Sequence, residues 1–342
     1  MTLLEKLQAT GIRRIGTPQS GFHYVTFDGK RVKAKQAAWI QALKLPPAWT
    51  EVRITPNTRA HLVAVGKDKA GRWQYRYAES FRGQREEAKF QRLMAFAQVL
   101  PRMRKVVDRD LSRPGLGREK VMAAALRILS TCFVRPGSAA YAAENGSFGL
   151  ATLRNKHVTI KGDLVVLDYP GKSGKVQHRE LRDRRVARLL AKLMKLPGKE
   201  VLKWVTDDGK VVDVRRRDIN LYIKEVMGEH FSAKDFRTWA GTLICACALA
   251  RAGLDGSDSE RARKKKVVQA VKETAAQLGN TPAVCRKSYI YPSVLSQFDR
   301  GKVIDRYFDT VQELVEHKQH GFHHSEKALL ELLKEQAKPA TA

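Results

Sequence analysis

Leu278-Gly279-Asn280-Thr281-Pro282-Ala283-Val284-Cys285-Arg286-Lys287-Ser288-Tyr289-Ile290-Tyr291-Pro292 is the stretch on which the reading of this chain turns. It holds two phenols two residues apart, and Asn280 stands nine residues before the first of them. A phenol with a solution pKa of about 10 becomes a good leaving group once esterified, so a tyrosine suits reversible covalent chemistry. What the rest of the chain supplies decides whether such chemistry is at hand.

The setting is strongly basic. Lys and Arg number 64 against 35 Asp and Glu, for a formal charge of +29 and a pI of about 10.2. The basic residues lie along the whole length, which suits a protein that encloses a polyanion better than one tethered to it by an arm. No run of eighteen apolar residues exists and the N-terminal MTLLEKLQATGIRRIG lacks a secretory pattern, so the expectation is a soluble, cytoplasmic protein associated with the nucleoid and without a membrane partner. Four cysteines, with no CxxC pair, indicate neither a disulfide framework nor a zinc ribbon, and Cys245 and Cys247 read as core packing.

Upstream, two regions differ in period. Short alternating runs at Phe22 to Phe27, His61 to Val65 and Trp73 to Tyr77, separated by Gly, Pro and Asp, predict a small strand-rich domain over residues 1–82. From Arg85, apolar residues at Phe90, Leu93, Met94, Phe96, Ala97 and Leu100 recur at helical spacing, with Pro101 and Pro114 as punctuation. The second domain, 83–342, reads as mainly helical with one compact sheet made of Lys156 to Ile160, Leu164 to Tyr169 and Val176 to Leu181. The fold class is therefore α+β. Between the last two runs, Pro170-Gly171-Lys172-Ser173-Gly174-Lys175 marks a hairpin tip that exposes Lys172.

Several chemistries are set aside by what is missing. No carboxylate cluster or HExxH pair offers a metal site, and His317, His320, His323 and His324 read as a solvated helix face and loop. Gly171-Lys172-Ser173 lacks the upstream glycine of a P-loop, where Val166 stands, so no nucleotide site is expected. Transfer of a phosphodiester without metal needs a nucleophile, positive groups on the non-bridging oxygens and an acid for the leaving alkoxide. Tyrosine, arginine and lysine can supply all three.

Here a resemblance becomes specific. The Asn280 to Tyr289 stretch is similar to the nucleophile region of the tyrosine recombinase and type IB topoisomerase superfamily. Arg135-Pro136-Gly137, Tyr141, Glu144-Asn145 and Gly149-Leu150-Ala151-Thr152-Leu153-Arg154-Asn155-Lys156-His157 resemble the poxvirus and bacterial type IB topoisomerases. The hairpin at Lys172, the run Lys234-Asp235-Phe236-Arg237-Thr238-Trp239 and the N-terminal Gly71-Arg72-Trp73-Gln74-Tyr75-Arg76-Tyr77 extend it over nearly the whole chain.

The resemblance implies a clamp on duplex DNA that relaxes supercoils through a 3′-phosphotyrosyl intermediate, as a monomer with no cofactor, metal or nucleotide. It implies that Arg135 and Arg237 bind the scissile phosphate, that Lys172 is the general acid and that Tyr289 attacks. Asn280, where many relatives carry histidine, would donate to a non-bridging oxygen. Tyr291 is permitted by the sequence alone, and the nine-residue spacing favours Tyr289. Gln74, Tyr75, Tyr77 and Tyr141 match positions implied to meet DNA. On a strand Tyr75 and Tyr77 share a face. The basic run Arg261 to Lys266 suits either a backbone contact or a solvated helix end.

Each residue also has a plainer reading: Arg135 as a helix cap, Arg237 as a partner of Asp235, Tyr289 as a packed phenol. Two alternatives of function stand beside the topoisomerase. A site-specific tyrosine recombinase would use the same tyrosine, but recombinases commonly carry histidine where Lys234 stands. A non-catalytic architectural DNA-binding protein would need only the charge.

Overall fold

The computed structural model describes residues 2–255, 259–317 and 319–337. The chain divides into two compact units, residues 1–90 and 91–342.

The first unit is a five-stranded antiparallel sheet with two short helices. In chain order it comprises α1 (Leu3–Thr10), β1 (Ile12–Thr17), β2 (Gly21–Val25), α2 (Ala34–Ala42), β3 (Thr50–Ile54), β4 (Leu62–Lys67) and β5 (Trp73–Tyr77), with strand order β2-β1-β3-β4-β5. Strand β4 is the central apolar element: Val63, Ala64 and Val65 are at most 1% exposed. One face packs Ile12, Val52, Ile54 and Ala64 against Ile40 of α2, and the other packs Leu62 and Val65 against Leu7 of α1. The alternating runs foretold β2, β4 and β5, whereas β1, β3 and both helices were not foreseen. Helix α1 buries only Leu7 and owes its start to the Thr2 hydroxyl accepting from Glu5 N at 3.2 Å while Glu5 Oε2 accepts from Thr2 N at 2.8 Å.

Helix α3 (Glu79–Leu111) leads into the second unit. Pro101, expected to punctuate the chain, lies inside this helix instead. Proline removes one main-chain bond, but Leu100, Met103, Val107 and Leu111 are all buried, and that packing holds the helix through the defect.

The second unit continues with α4 (Arg118–Cys132), α5 (Ala139–Asn145), the antiparallel sheet β6 (Val158–Lys161), β7 (Leu164–Pro170) and β8 (Val176–Arg182), then α6 (Arg184–Leu193). The hairpin β9 (Lys203–Val205) and β10 (Val211–Asp213) precedes α7 (Arg216–Met227), α8 (Ala233–Ala252), α9 (Glu260–Leu278), α10 (Pro282–Ser288), α11 (Pro292–Asp299), α12 (Val311–Glu316) and α13 (His324–Ala337). The fold is α+β.

Helix α8 is the core of this unit. Its run from Trp239 to Ala250 is buried throughout, including both cysteines. Each large apolar side chain buried this way stabilises the fold by about 1.5–3 kcal/mol. The buried carboxylate of Glu326 fastens α13 to this core. It accepts from Arg104 Nη2 at 2.8 Å, Trp239 Nε1 at 3.3 Å and His323 N at 2.9 Å. A buried charge is tolerable only with such full pairing, and the pairing fixes α3, α8 and α13 behind the residue two positions before Trp239, Arg237.

Candidate active site

Arg237 projects from α8 and is 3% exposed. Its guanidinium donates to two main-chain carbonyls, that of Phe133 after α4 and, through Nη2 at 2.8 Å, that of Leu278 at the end of α9. A cation at a helix C-terminus satisfies carbonyls the helix leaves open and meets the negative end of its dipole. Asp235, the plainer partner weighed for Arg237, is taken by Arg92 at 2.7 and 2.5 Å.

Helix α9 ends in a Schellman turn. Gly279 adopts φ +61, Gly279 N donates to Ala276 O at 3.1 Å and Asn280 N to Ala275 O at 2.8 Å. That turn delivers Asn280 against Arg135, whose Nη2 donates to Asn280 Oδ1.

Arg135 is set by an unusually close backbone approach. Leu150 N donates to Arg135 O and Ala151 N to Pro136 O, both at 2.9 Å. Gly137 has φ +83, and a Cβ on Gly149 would lie 2.6 Å from Gly137 Cα and 2.7 Å from Arg135 O. Only glycine fits at either place. Burial, and next the charge of Arg237, push the Arg135 pKa down from its ordinary value.

Tyr289 follows α10, its N–H donating to Cys285 O at 2.9 Å. Its half-buried ring lies 4.9 Å from the Arg237 guanidinium carbon. Thr242 on α8 lies 3.3 Å by its hydroxyl from Tyr289 O and accepts from Tyr291 N at 3.1 Å, bracketing the peptide on both sides of Ile290. A Cβ on Gly241 would come within 2.7 Å of Tyr289 O, so α8 carries glycine where the tyrosine backbone crosses it.

Lys172 sits apart from these groups in character. It is exposed on the turn between β7 and β8, closed by Gly171 N donating to Lys175 O at 2.8 Å, and among the described residues no hydrogen bond or ion pair holds its ammonium. The structure thus gathers Arg135, Arg237, Asn280 and Tyr289 and leaves Lys172 on a free loop.

The electrostatics of the gathered set are one-sided. Among the described residues no carboxylate pairs with Arg135, Arg237 or a third guanidinium, Arg179 of β8. Burial pushes the Arg179 pKa down as well, and Arg237 adds to that. Asn280 Nδ2 and Arg237 Nε are buried without an acceptor. Arginine Nε atoms are left so elsewhere in the chain, but Asn280 supplies the one carboxamide among these orphaned atoms of the described residues. Buried donors and uncompensated cations make a site for an anion.

Sequence comparison agrees with this arrangement. Residues 78–317 match the family described as eukaryotic DNA topoisomerase I, catalytic core, and residues 21–68 match the bacterial DNA topoisomerase IB N-terminal domain. DNA topoisomerase 1B of Acanthamoeba polyphaga mimivirus is 34% identical over 295 residues, 85% of this chain and 88% of the viral one. This chain belongs to the type IB DNA topoisomerases. The vaccinia virus (strain Copenhagen) DNA topoisomerase 1B is 25% identical over 275 residues, covering 78% and 83% of the two chains. Rabbit fibroma virus DNA topoisomerase 1 is 23% identical over 265 residues, covering 75% and 79%.

Other residues singled out in this topoisomerase lie as follows. Tyr75 and Tyr141 are exposed at 46% and 54%. Tyr77 packs with Trp73 on the Leu7, Leu62 and Val65 cluster, so its ring is partly core, and the Gln74 amide donates to Asp68 Oδ2 at 2.9 Å. In the basic run before α9's midpoint, Lys264 pairs with Glu260 and Lys266 donates to Gly253 O at 3.2 Å.

The histidine group corrects an expectation. His323 is buried at 7% exposure rather than solvated, with its Nδ1 2.8 Å from Ser325 Oγ, and His324 Nε2 lies 3.2 Å from Tyr307 O. His320 faces Asp108 at 2.5 Å. Among the described residues no His, Cys, Asp and Glu group is arranged to hold a metal ion. All four cysteines are buried and free, and burial pushes the Cys132 and Cys285 thiols up to about 11 and those of Cys245 and Cys247 to about 12. They stay protonated near neutrality and do not compete with the phenol as nucleophiles.

Sequence reasoning missed Arg179, Gln177 and Thr242. The signal for the first two was a strand, β8, with polar residues at its inward register; Gln177 is 5% exposed and shares a face with Arg179 and Leu181. Thr242 carried no signal, since its hydroxyl matters only through a loop 47 positions later.

Proposed function

We propose that the enzyme relaxes supercoiled duplex DNA by transient cleavage of one strand through a 3′-phosphotyrosyl intermediate at Tyr289, without ATP or a metal ion. The observation that carries this reading is the pair Arg135 and Arg237, unpaired with any carboxylate among the described residues: half-buried Arg135 is bonded to Asn280, and buried Arg237 lies over the Tyr289 ring.

The Tyr289 oxygen attacks the scissile phosphorus, forming the phosphotyrosyl bond as the bond to the 5′ oxygen breaks. The phenolic proton leaves to solvent. Lys172 gives a proton to the departing 5′ oxygen once bound DNA seats its loop, which suits a lysine that no described residue holds. Arg135 and Arg237 stabilise the charge gained on the equatorial oxygens through guanidinium N–H donors, in place of a metal ion. Asn280 Nδ2 donates to the same oxygens. The free 5′ end rotates about the intact strand, and its hydroxyl then attacks the phosphotyrosine in reverse, so the bond energy is kept and no nucleotide is needed.

Duplex DNA is the substrate in this reading, and the +29 charge supplies sequence-independent attraction to its phosphates. Tyr75 and Tyr141 are exposed aromatic contacts for it, Gln74 would exchange Asp68 for a base edge, and Tyr77 supports the strand. The enzyme acts as a monomer in the cytoplasm, on nucleoid DNA.

The test is relaxation of a negatively supercoiled plasmid in EDTA without ATP. The parent and Tyr291→Phe should relax it and form a covalent adduct with DNA, whereas Tyr289→Phe should do neither. Robust relaxation by Tyr289→Phe would overturn the reading.

A further inference from the structure

Among the described residues Lys172 has no partner of its own, so its position derives from whatever anchors the base of its loop. That anchor is Gln177. The Gln177 amide nitrogen donates to Lys175 O at 3.3 Å and Val176 O at 3.2 Å, while its oxygen accepts from Arg179 Nη2 at 3.1 Å. Its stem fills the space where Gly171 lacks a side chain, since a Cβ there would lie 2.7 Å from Gln177 Cγ. At its far end the carboxamide lies against Gly279, where a Cβ would fall 2.8 Å from Gln177 Cδ and closer still to the amide oxygen.

One buried side chain therefore touches the residue before Lys172, the residue before Asn280 and the third guanidinium of the cluster. A polar group of this length, held at both ends in a buried position, fixes distance as an aliphatic side chain of similar bulk would not. The main chain supports the same junction: Phe148 N donates to Pro170 O at 2.8 Å, joining the loop base to the segment that sets Arg135.

We propose that Gln177 is a positioning residue for the general acid: it sets the Lys172 loop at a fixed distance from the Asn280 turn, so that the ammonium reaches the leaving 5′ oxygen when DNA is bound. The inference rests on the reading of Lys172 as general acid. Gln177 does not touch the reacting atoms.

The test is single-turnover cleavage of a duplex oligonucleotide at a position mapped with the parent enzyme, made with either oxygen or sulfur as the bridging 5′ atom. A thiolate leaves without protonation, so a defect in proton delivery disappears on the sulfur substrate while a defect in phosphate binding or nucleophile placement persists. Lys172→Ala should be slow on oxygen by about 100-fold or more and recover on sulfur. Gln177→Ala should lose about 10- to 100-fold on oxygen and recover to within a few-fold of the parent on sulfur. Gln177→Met, which keeps the packing and removes the amide, should behave likewise, and Gln177→Asn should be intermediate on oxygen. Adduct formation on sulfur itself reports a folded site.

Cleavage of the oxygen substrate at the parental rate by Gln177→Ala and Gln177→Met would overturn the inference, as would equal losses on both substrates. If Lys172→Ala is rescued by sulfur and the Gln177 variants are not, the inference alone falls. If Lys172→Ala is equally slow on both substrates, the general-acid reading falls and the inference with it.

Discussion

Arg135 and Asn280 lie 145 positions apart in the chain, and the guanidinium of one rests on the carboxamide oxygen of the other. That bond orients the amide, because an oxygen engaged by Arg135 leaves Nδ2 as the free donor, and Nδ2 is buried without an acceptor. A preorganised donor aimed at developing charge is typically worth about 10²- to 10³-fold in rate. Asn280→Ala should therefore cleave DNA about 100-fold more slowly with little change in melting temperature. Asn280→Asp should be worse, since a carboxylate on Arg135 both neutralises the cation and repels the phosphate. Single-turnover cleavage measures both, and parental rates in Asn280→Asp would sink the assignment.

Gly241 tests nucleophile placement separately from charge. In an exposed helix interior, replacing glycine by alanine stabilises by about 1 kcal/mol. Here the new Cβ meets Tyr289 O at 2.7 Å and Tyr289 Cβ at 3.1 Å, so the gain in propensity is offset by displacement of the tyrosine peptide. Gly241→Ala should remain folded yet lose about 100-fold in adduct formation, as expected for a reacting atom moved by about 1 Å. An unchanged rate of adduct formation would show that the Tyr289 backbone can move without consequence.

How much of this was legible beforehand differs by element. Periodicity disclosed β5, β7 and the helical run through Leu100, where apolar or aromatic residues recur at the period of the element. It did not disclose α1 and α2, which bury one residue each, or the continuity of α3 through Pro101, where long-range burial overrides a local breaker. In the site, motif order marked Arg135, Lys172, Arg237, Asn280 and Tyr289. It could not show that Arg237 spends two donors on the carbonyls of Phe133 and Leu278, or that Gln177 bridges Gly171 and Gly279. Those facts depend on which segments meet in space, and a side chain's identity does not carry them.

Arg237 should accordingly combine two losses that Asn280 does not. Replacing it with alanine leaves the Phe133 and Leu278 carbonyls buried without their donor, at about 1–3 kcal/mol for each unsatisfied group. Arg237→Ala should lower both cleavage and the midpoint of urea unfolding. Arg237→Lys keeps the charge but lacks the planar fork that spans two carbonyls, so it should recover less than half of the lost stability. A variant with full stability and no activity would mean that Arg237 serves the phosphate alone.

His323 should give the fold an acid sensitivity with a defined sign. Burial, and next the neighbouring His324 and His317, push its pKa below the ordinary imidazole value; Glu326 and Glu313 oppose this without reversing it. Its ring stacks on His324 at 3.8 Å between centroids and meets His317 at 5.2 Å. With the folded-state pKa depressed, the unfolded chain binds a proton that the native state refuses. The contribution to stability is thus fully present above the unfolded pKa of about 6.5 and is lost as pH falls below it toward the folded value. Melting temperature should drop between pH 7 and pH 5.5 in the parent. His323→Gln, which keeps a polar partner for Ser325, should flatten that dependence, although it lowers the melting temperature at pH 7. Equal slopes in the two proteins would place the acid sensitivity of this window elsewhere, and not at Asp108, whose carboxyl is pushed up by burial but held net below the usual range by His320, Arg127 and Arg185. A depressed carboxyl loses its contribution only below about pH 4.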